Sequence, residues 1–129
     1  MIVDSSAIVA ILKDEPEGVA FSRALEVSRS NSISAASYFE SSIVLDKSRN
    51  PNLSTGLDEL IDVARIVIEP VTAEQAKIAR QAYRDFGKGS GHPANLNFGD
   101  CFSYALAQEK REPMLWKGDD IGHTDIRPA

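Results

Sequence analysis

The sequence predicts an α/β protein built on a mainly parallel sheet. Strand-like and helix-like runs alternate along the whole chain, with no repeat, low-complexity block or linker between them. Parallel strands need crossover helices, so this alternation marks a parallel sheet covered on both faces. The 129 residues suit one domain at roughly 100 to 200 residues each, and 43% hydrophobic with 26% charged residues suits a buried core under a solvated surface. Residues 1–129 are expected to form a single domain.

Ile2-Val3 reads as a short strand running into Asp4, and Ser5 and Ser6 offer capping hydroxyls ahead of the apolar stretch Ala7 to Leu12. Pro16 suits the first turn of a second helix with Val19, Ala20 and Leu25 inward. Asn31 to Ser34 reads as a second strand. Ala36, Phe39 and Ile43 share helical spacing, in a helix that should stop before Asn50-Pro51. Leu57, Leu60, Ile61 and Ala64 follow the i, i+3, i+4, i+7 pattern of an amphipathic helix, and the β-branched run Ile66-Val67-Ile68 is a third strand. Thr72 with Gln75 suggests a capping box, ahead of a helix with Ala76, Ala79, Tyr83 and Phe86 inward. Three glycines and a proline make Gly87 to Pro93 a loop. Phe102, Ala105 and Leu106 mark another helix, Met114-Leu115-Trp116 a fourth strand, and Ile126 a short fifth.

No apolar run approaches the ~20 residues that span a bilayer, and Asp4 interrupts any leader-like stretch at the start, so a cytoplasmic protein without membrane association is expected. The lone Cys101 can close no internal disulfide and no CxxC pair supports a zinc clip. A net charge of −5, from 14 basic and 19 acidic residues, argues against a broad phosphate-gripping surface. Nucleic acid stays open, because an enzyme that holds divalent cations with carboxylates carries its positive charge as metal.

In parallel α/β sheets ligands bind beyond the carboxyl ends of the strands. Asp4 ends the first strand, Glu40 lies on the helix after the second, Asp100 falls in the first turn of a helix, and Asp119 and Asp120 follow the fourth strand. All five can meet at one edge. Carboxylates crowded without a neutralising arginine repel one another unless a cation holds them together. Oxygen-only ligands suit Mg²⁺ or Mn²⁺, which activate water and steady the charge developing on a phosphate. Each acid also has a plainer reading: Asp4 as a helix cap, Asp100 as a first-turn carboxylate boxed with Asn97, and Gly-Asp-Asp as a turn. Glu40 on a mostly apolar helix is more pointed, since an acid near a buried face needs a partner.

Four stretches carry a resemblance: Met1 to Ala7, Ser34 to Glu40, Asn97 to Cys101, and Leu115 to Asp120. In order and spacing they resemble the acidic motifs of the PIN-domain family, most closely its VapC-type toxin ribonucleases, over nearly the whole chain. The resemblance implies a three-layer α/β/α sandwich around a sheet of four to five strands. It implies a Mg²⁺- or Mn²⁺-dependent endoribonuclease that is the toxin of a toxin-antitoxin pair, usually homodimeric and blocked by a cognate VapB-type antitoxin. By that match Asp4 and Asp100 are the principal metal ligands, Glu40 completes the cluster, and Asp119 or Asp120 supports metal or water. Asp120 is favoured, because it precedes Ile121, where the family commonly has phenylalanine. Ser5 stands where threonine is frequent.

Other readings are weaker. No third group is placed to orient a base for Cys101 with His92 or His123, so Cys101 reads as a small buried residue. The glycine loop lacks G-x-x-x-x-G-K-[ST] and follows a helix, so it reads as a lip rather than a phosphate cradle. Asp4-Ser5-Ser6 lacks the second aspartate of aspartyl phosphotransferases. Trp116 at a strand end reads as packing before base stacking. The alternative function is a catalytically silent PIN-like module that only binds a partner, yet such a module has no physical reason to crowd like charges.

Overall fold

In the computed structural model, which describes residues 1–129, Ile2 and Val3 make a central strand, β1, whose side chains point to opposite faces of a four-stranded sheet. The remaining elements are α1 (Ser5–Leu12), α2 (Gly18–Val27), β2 (Asn31–Ser34), α3 (Ala35–Lys47), α4 (Pro51–Val63), β3 (Ile66–Glu69), α5 (Ala73–Phe86), α6 (Phe98–Lys110) and β4 (Met114–Leu115). The strands run in the order β3-β2-β1-β4, all parallel. Ile2 and Met114 pack beneath α5 and α6 in one core, while Val3, Ile33 and Leu115 join α1 to α4 in the other. Helices on both faces of a parallel sheet give the expected α/β/α sandwich. No helix is long and apolar enough to cross a membrane.

Because β1 pairs with β2 on one side and β4 on the other, the chain reverses its direction of sheet growth at β1. That switch point opens a crevice at the carboxyl end of β1, where Asp4 stands. The expected fifth strand at Ile126 does not form. Ile126 is buried in the α5/α6 core, and the chain end contributes only an isolated bridge between Met114 and Pro128. Trp116 lies just beyond β4, partly buried, with its indole N–H donated to the Gly118 carbonyl at 2.9 Å.

Several inward faces differ from those the apolar pattern suggested. Helix α2 starts at Gly18, two residues after Pro16, and its inner face is Gly18, Phe21 and Leu25; a Cβ on Gly18 would stand 2.8 Å from the Ala10 carbonyl of α1. This rotates Val19 and Ala20 outward. On α3 the buried residues are Ser37, Ser41 and Leu45, while Phe39 is 64% exposed and Ile43 is also exposed. On α5, Gln75 and Ala82 are buried, and Ala76 and Tyr83 face outward. Thr72 caps α5 through Gln75 N, but the Gln75 side chain reaches Glu109 instead of closing the box. Ile66 alone of the third strand is buried, because β3 is a sheet edge whose Val67 and Ile68 remain exposed.

Candidate active site

Asp4 is the N-cap of α1: its extended backbone ends β1, and its Oδ2 accepts from Ser6 N at 3.0 Å. The cap falls one residue earlier than the serines suggested, and Ser6 serves it instead, donating its hydroxyl to Oδ2 at 2.6 Å. Ser6 Oγ accepts in turn from the Lys117 backbone N–H at 2.9 Å, which ties the end of β4 to Asp4. The other carboxylate oxygen accepts from Ser103 Oγ at 2.6 Å. Ser103 and Ser37 hydroxyls are 2.9 Å apart. With the Ser103 proton on Asp4, Ser37 must be the donor, so a buried relay runs from α3 through α6 to Asp4. Asp4 is only 2% exposed.

Asp100 occupies the N3 position of α6 and closes a capping box with Asn97: Asp100 N donates to Asn97 Oδ1 at 2.8 Å and Asn97 N donates to Asp100 Oδ2 at 2.9 Å. The capping readings of Asp4 and Asp100 are thus both realised, alongside their placement in the acidic cluster. Burial first, and then the charges of Asp4, Asp120 and Glu40, push the Asp100 carboxyl up from 3.8 to about 6, against the Asn97 N–H that favours the charged form. These four acids therefore share one electrostatic field.

They also share one cavity of about 470 Å³, which Asp4, Glu40, Asp100 and Asp120 line together with Ser5, Ser6 and Asn97. Glu40, half-buried on the second turn of α3, accepts a hydrogen bond from Ser5 Oγ through Oε1. Asp120 precedes the short 3₁₀ turn Ile121–His123, makes no capping hydrogen bond, and sits beside buried Ile121, which anchors that turn. Asp119 does not line the cavity. The one cation lining the cavity, Lys117, is already paired: its ammonium meets Glu15, which lines the cavity too, and, at 3.3 Å, Glu17 on the α1–α2 connection, and those carboxylates raise its pKa.

The donor set is carboxylate and hydroxyl oxygen without histidine or cysteine, which fits a hard divalent cation. With the side chains as they stand, no three acids converge at ligand distance. Cys101 is buried and burial pushes its thiol up to about 11, so it is no nucleophile at neutral pH. His92 is spent locally, accepting from Ala94 N and meeting the Phe86 ring edge-on.

Sequence reasoning passed over Ser103, Ser37, Gly99 and Lys117. Ser103 carried a usable signal, lying three residues after Asp100 on the same helix face. Ser37 carried none, because a serine on a helix reads as solvent-facing until its partner helix is known.

A PIN-domain family model matches residues 1–126. The chain belongs to the PIN-domain family. It is 60% identical over 129 residues to ribonuclease VapC28 of Mycobacterium tuberculosis, covering 100% of this chain and 97% of that protein. It is 51% identical to ribonuclease VapC42 of the same organism over all 129 residues, or 98% of that protein. These similarities place it in the VapC ribonuclease branch of the PIN family. In fold it matches M. tuberculosis VapC20, described as a sarcin-ricin loop cleaving toxin, with a TM-score of 0.77 at 14% identity over 99% of this chain and 97% of that one. A toxin-antitoxin complex from Klebsiella pneumoniae matches with a TM-score of 0.68 at 16% identity, over 93% and 88% of the two chains.

Proposed function

We propose that this PIN protein is the toxin of a toxin-antitoxin pair, an endoribonuclease acting in the cytoplasm whose phosphodiester cleavage depends on Mg²⁺ or Mn²⁺. The observation that carries the reading is the meeting of Asp4, Glu40, Asp100 and Asp120 in one cavity whose only lining cation is already paired with Glu15 and Glu17. Such a site keeps a negative field that a divalent cation neutralises better than any side chain present. Asp4 and Asp100 would hold the ion, with Glu40 and Asp120 completing or supporting its shell; when bound, the ion supplies an activated water and charge stabilisation at the phosphate.

The residues of the chain do the positioning. Ser6 and Ser103 hold both oxygens of Asp4, so the carboxylate that lines the cavity has little rotamer freedom. The capping box fixes Asp100 in the same way. An Asp100 carboxyl near 6 is ionised at neutral pH yet able to take a proton at modest cost.

For partners we propose an RNA substrate, a cognate VapB-type antitoxin and a second copy of the chain. Exposed apolar side chains on the early helices, Val19, Val63 and Phe39, suit an antitoxin segment. The apolar groove between α5 and α6, with Tyr83, Phe98 and Phe102, suits a homodimer contact. The deciding experiment is cleavage of extracted total RNA in Mn²⁺ by wild type and Asp4→Asn. The wild type should cut and the variant should lose at least a hundredfold; equal rates would overturn the assignment.

A further inference from the structure

Gly99 stands at the N2 position of α6, between Phe98 and Asp100, with an ordinary helical backbone. Nothing in its conformation requires glycine, and a glycine inside a helix sacrifices stability relative to alanine. Its surroundings supply the reason for the small residue. A Cβ on Gly99 would overlap Oε2 of Glu40 and stand 2.7 Å from Glu40 Cδ and 2.8 Å from Oε1. All three obstructing atoms belong to the end of one flexible side chain; no backbone atom is among them.

We propose that Gly99 is a positioning residue for Glu40: by lacking a Cβ it leaves the cradle in which that carboxylate lies against the first turn of α6, beside Asp100. The cradle has two walls. Ser5 Oγ donates to Oε1 from α1, and the bare Cα of Gly99 receives the rest of the carboxylate. The positive end of the α6 dipole favours a negative group at this spot. A methyl group at 99 displaces the Glu40 carboxylate from this place, and the three atoms nearest to it all belong to the Glu40 tip and none to either core. Glycine at 99 therefore exchanges helical stability for the placement of one acid. The inference rests on the proposed role of Glu40 in the site.

The test uses Gly99→Ala, Glu40→Asp, the double variant and Glu40→Gln, in the full chain. Without metal, Gly99→Ala should melt at or above the wild-type temperature, as alanine in a helix predicts. Its Mn²⁺-induced rise in melting temperature should shrink, and cleavage of total RNA should fall at least tenfold. Glu40→Asp alone should also be impaired. In the double variant the shorter acid makes room for the new methyl group, so activity should recover severalfold over Gly99→Ala, a coupling that independent sites would not give. A Gly99→Ala protein that cleaves at the wild-type rate while Glu40→Gln is impaired would overturn the proposal. So would a metal-free melting temperature several degrees lower, which assigns Gly99 to helix packing, or a double variant no better than the product of the two single defects. A silent Glu40→Gln beside a dead Asp4→Asn removes Glu40 from the site and this role with it, whereas silence in both overturns the nuclease reading itself.

Discussion

Replacing Asp100 with asparagine in metal-free protein separates the electrostatic cost of the acid cluster from the architecture that holds it. Asp100 binds its proton more tightly folded than unfolded, with a carboxyl at about 6 against 3.8. The folded state therefore gains stability as pH falls from about 6 to about 4, and above that window the ionised carboxylate penalises folding. At roughly 1.4 kcal/mol per pH unit the full shift corresponds to about 3 kcal/mol. Partial solvent contact and salt screening reduce this to about 1 to 2 kcal/mol. Asparagine removes the charge but keeps an oxygen that can accept from Asn97 N, so the capping box loses only the extra strength of a charged acceptor, about 0.5 to 1 kcal/mol. With EDTA present, Asp100→Asn should be neutral to about 1 kcal/mol more stable than wild type at pH 7.5. At pH 4 that margin should vanish or reverse. Urea unfolding of both proteins at the two pH values measures the change, and a stability difference that does not move with pH would refute the idea that the ionised Asp100 carboxylate, buried among like charges, costs the fold stability.

Mn²⁺ should raise the melting temperature of the wild type by several degrees, because a ligand of the folded state at a hundred times its Kd adds about 2.7 kcal/mol; Asp100→Asn should lose most of that rise in a thermal melt. Asp120→Ala should weaken metal-dependent cleavage about tenfold and Asp119→Ala by less than twofold, since only Asp120 lines the cavity and adds to the field at Asp100. Initial rates on one RNA pool decide the order, and a larger defect at 119 would move the fourth acid there.

The sheet and its helices were legible because strand length, β-branching and capping residues act locally. Asn31 to Ser34 reads as a strand and is β2, Asn97 with Asp100 reads as a capping box and forms one, and the acids were placed at the carboxyl edge by the binding rule for parallel sheets. What failed was the facing of helices. On α3 the apolar residues Phe39 and Ile43 outvoted Ser37 and Ser41 in the pattern, yet the serines are buried because each hydroxyl finds a partner, Ser103 for one and the Ser37 carbonyl for the other. A hydroxyl satisfied in this way costs little to bury, and pattern reading has no access to the partner. On α2 a glycine, invisible as an apolar residue, set the packing face through its small size. Gly99 escaped notice for the same reason: a residue that acts by making room leaves no chemical signature, and only the position of Glu40 reveals it.

Two of the four acids in the cluster, Asp4 and Asp100, also cap the helices they belong to. Asp4 ends β1 and starts α1, and Asp100 closes the first turn of α6, so each carboxylate is fixed by the backbone N–H groups of its own helix before any ligand arrives. A helix N-terminus offers unpaired N–H donors and the positive end of a dipole, which offsets part of the repulsion between like charges brought together. That offset is incomplete at Asp100, where burial and the three neighbouring charges outweigh the Asn97 N–H and drive the carboxyl up. The remaining imbalance is what a cation would relieve. Capping therefore lets the chain fold around an acidic centre while leaving that centre short of positive charge, since Lys117, the one cation lining the cavity, is itself matched by Glu15 and Glu17.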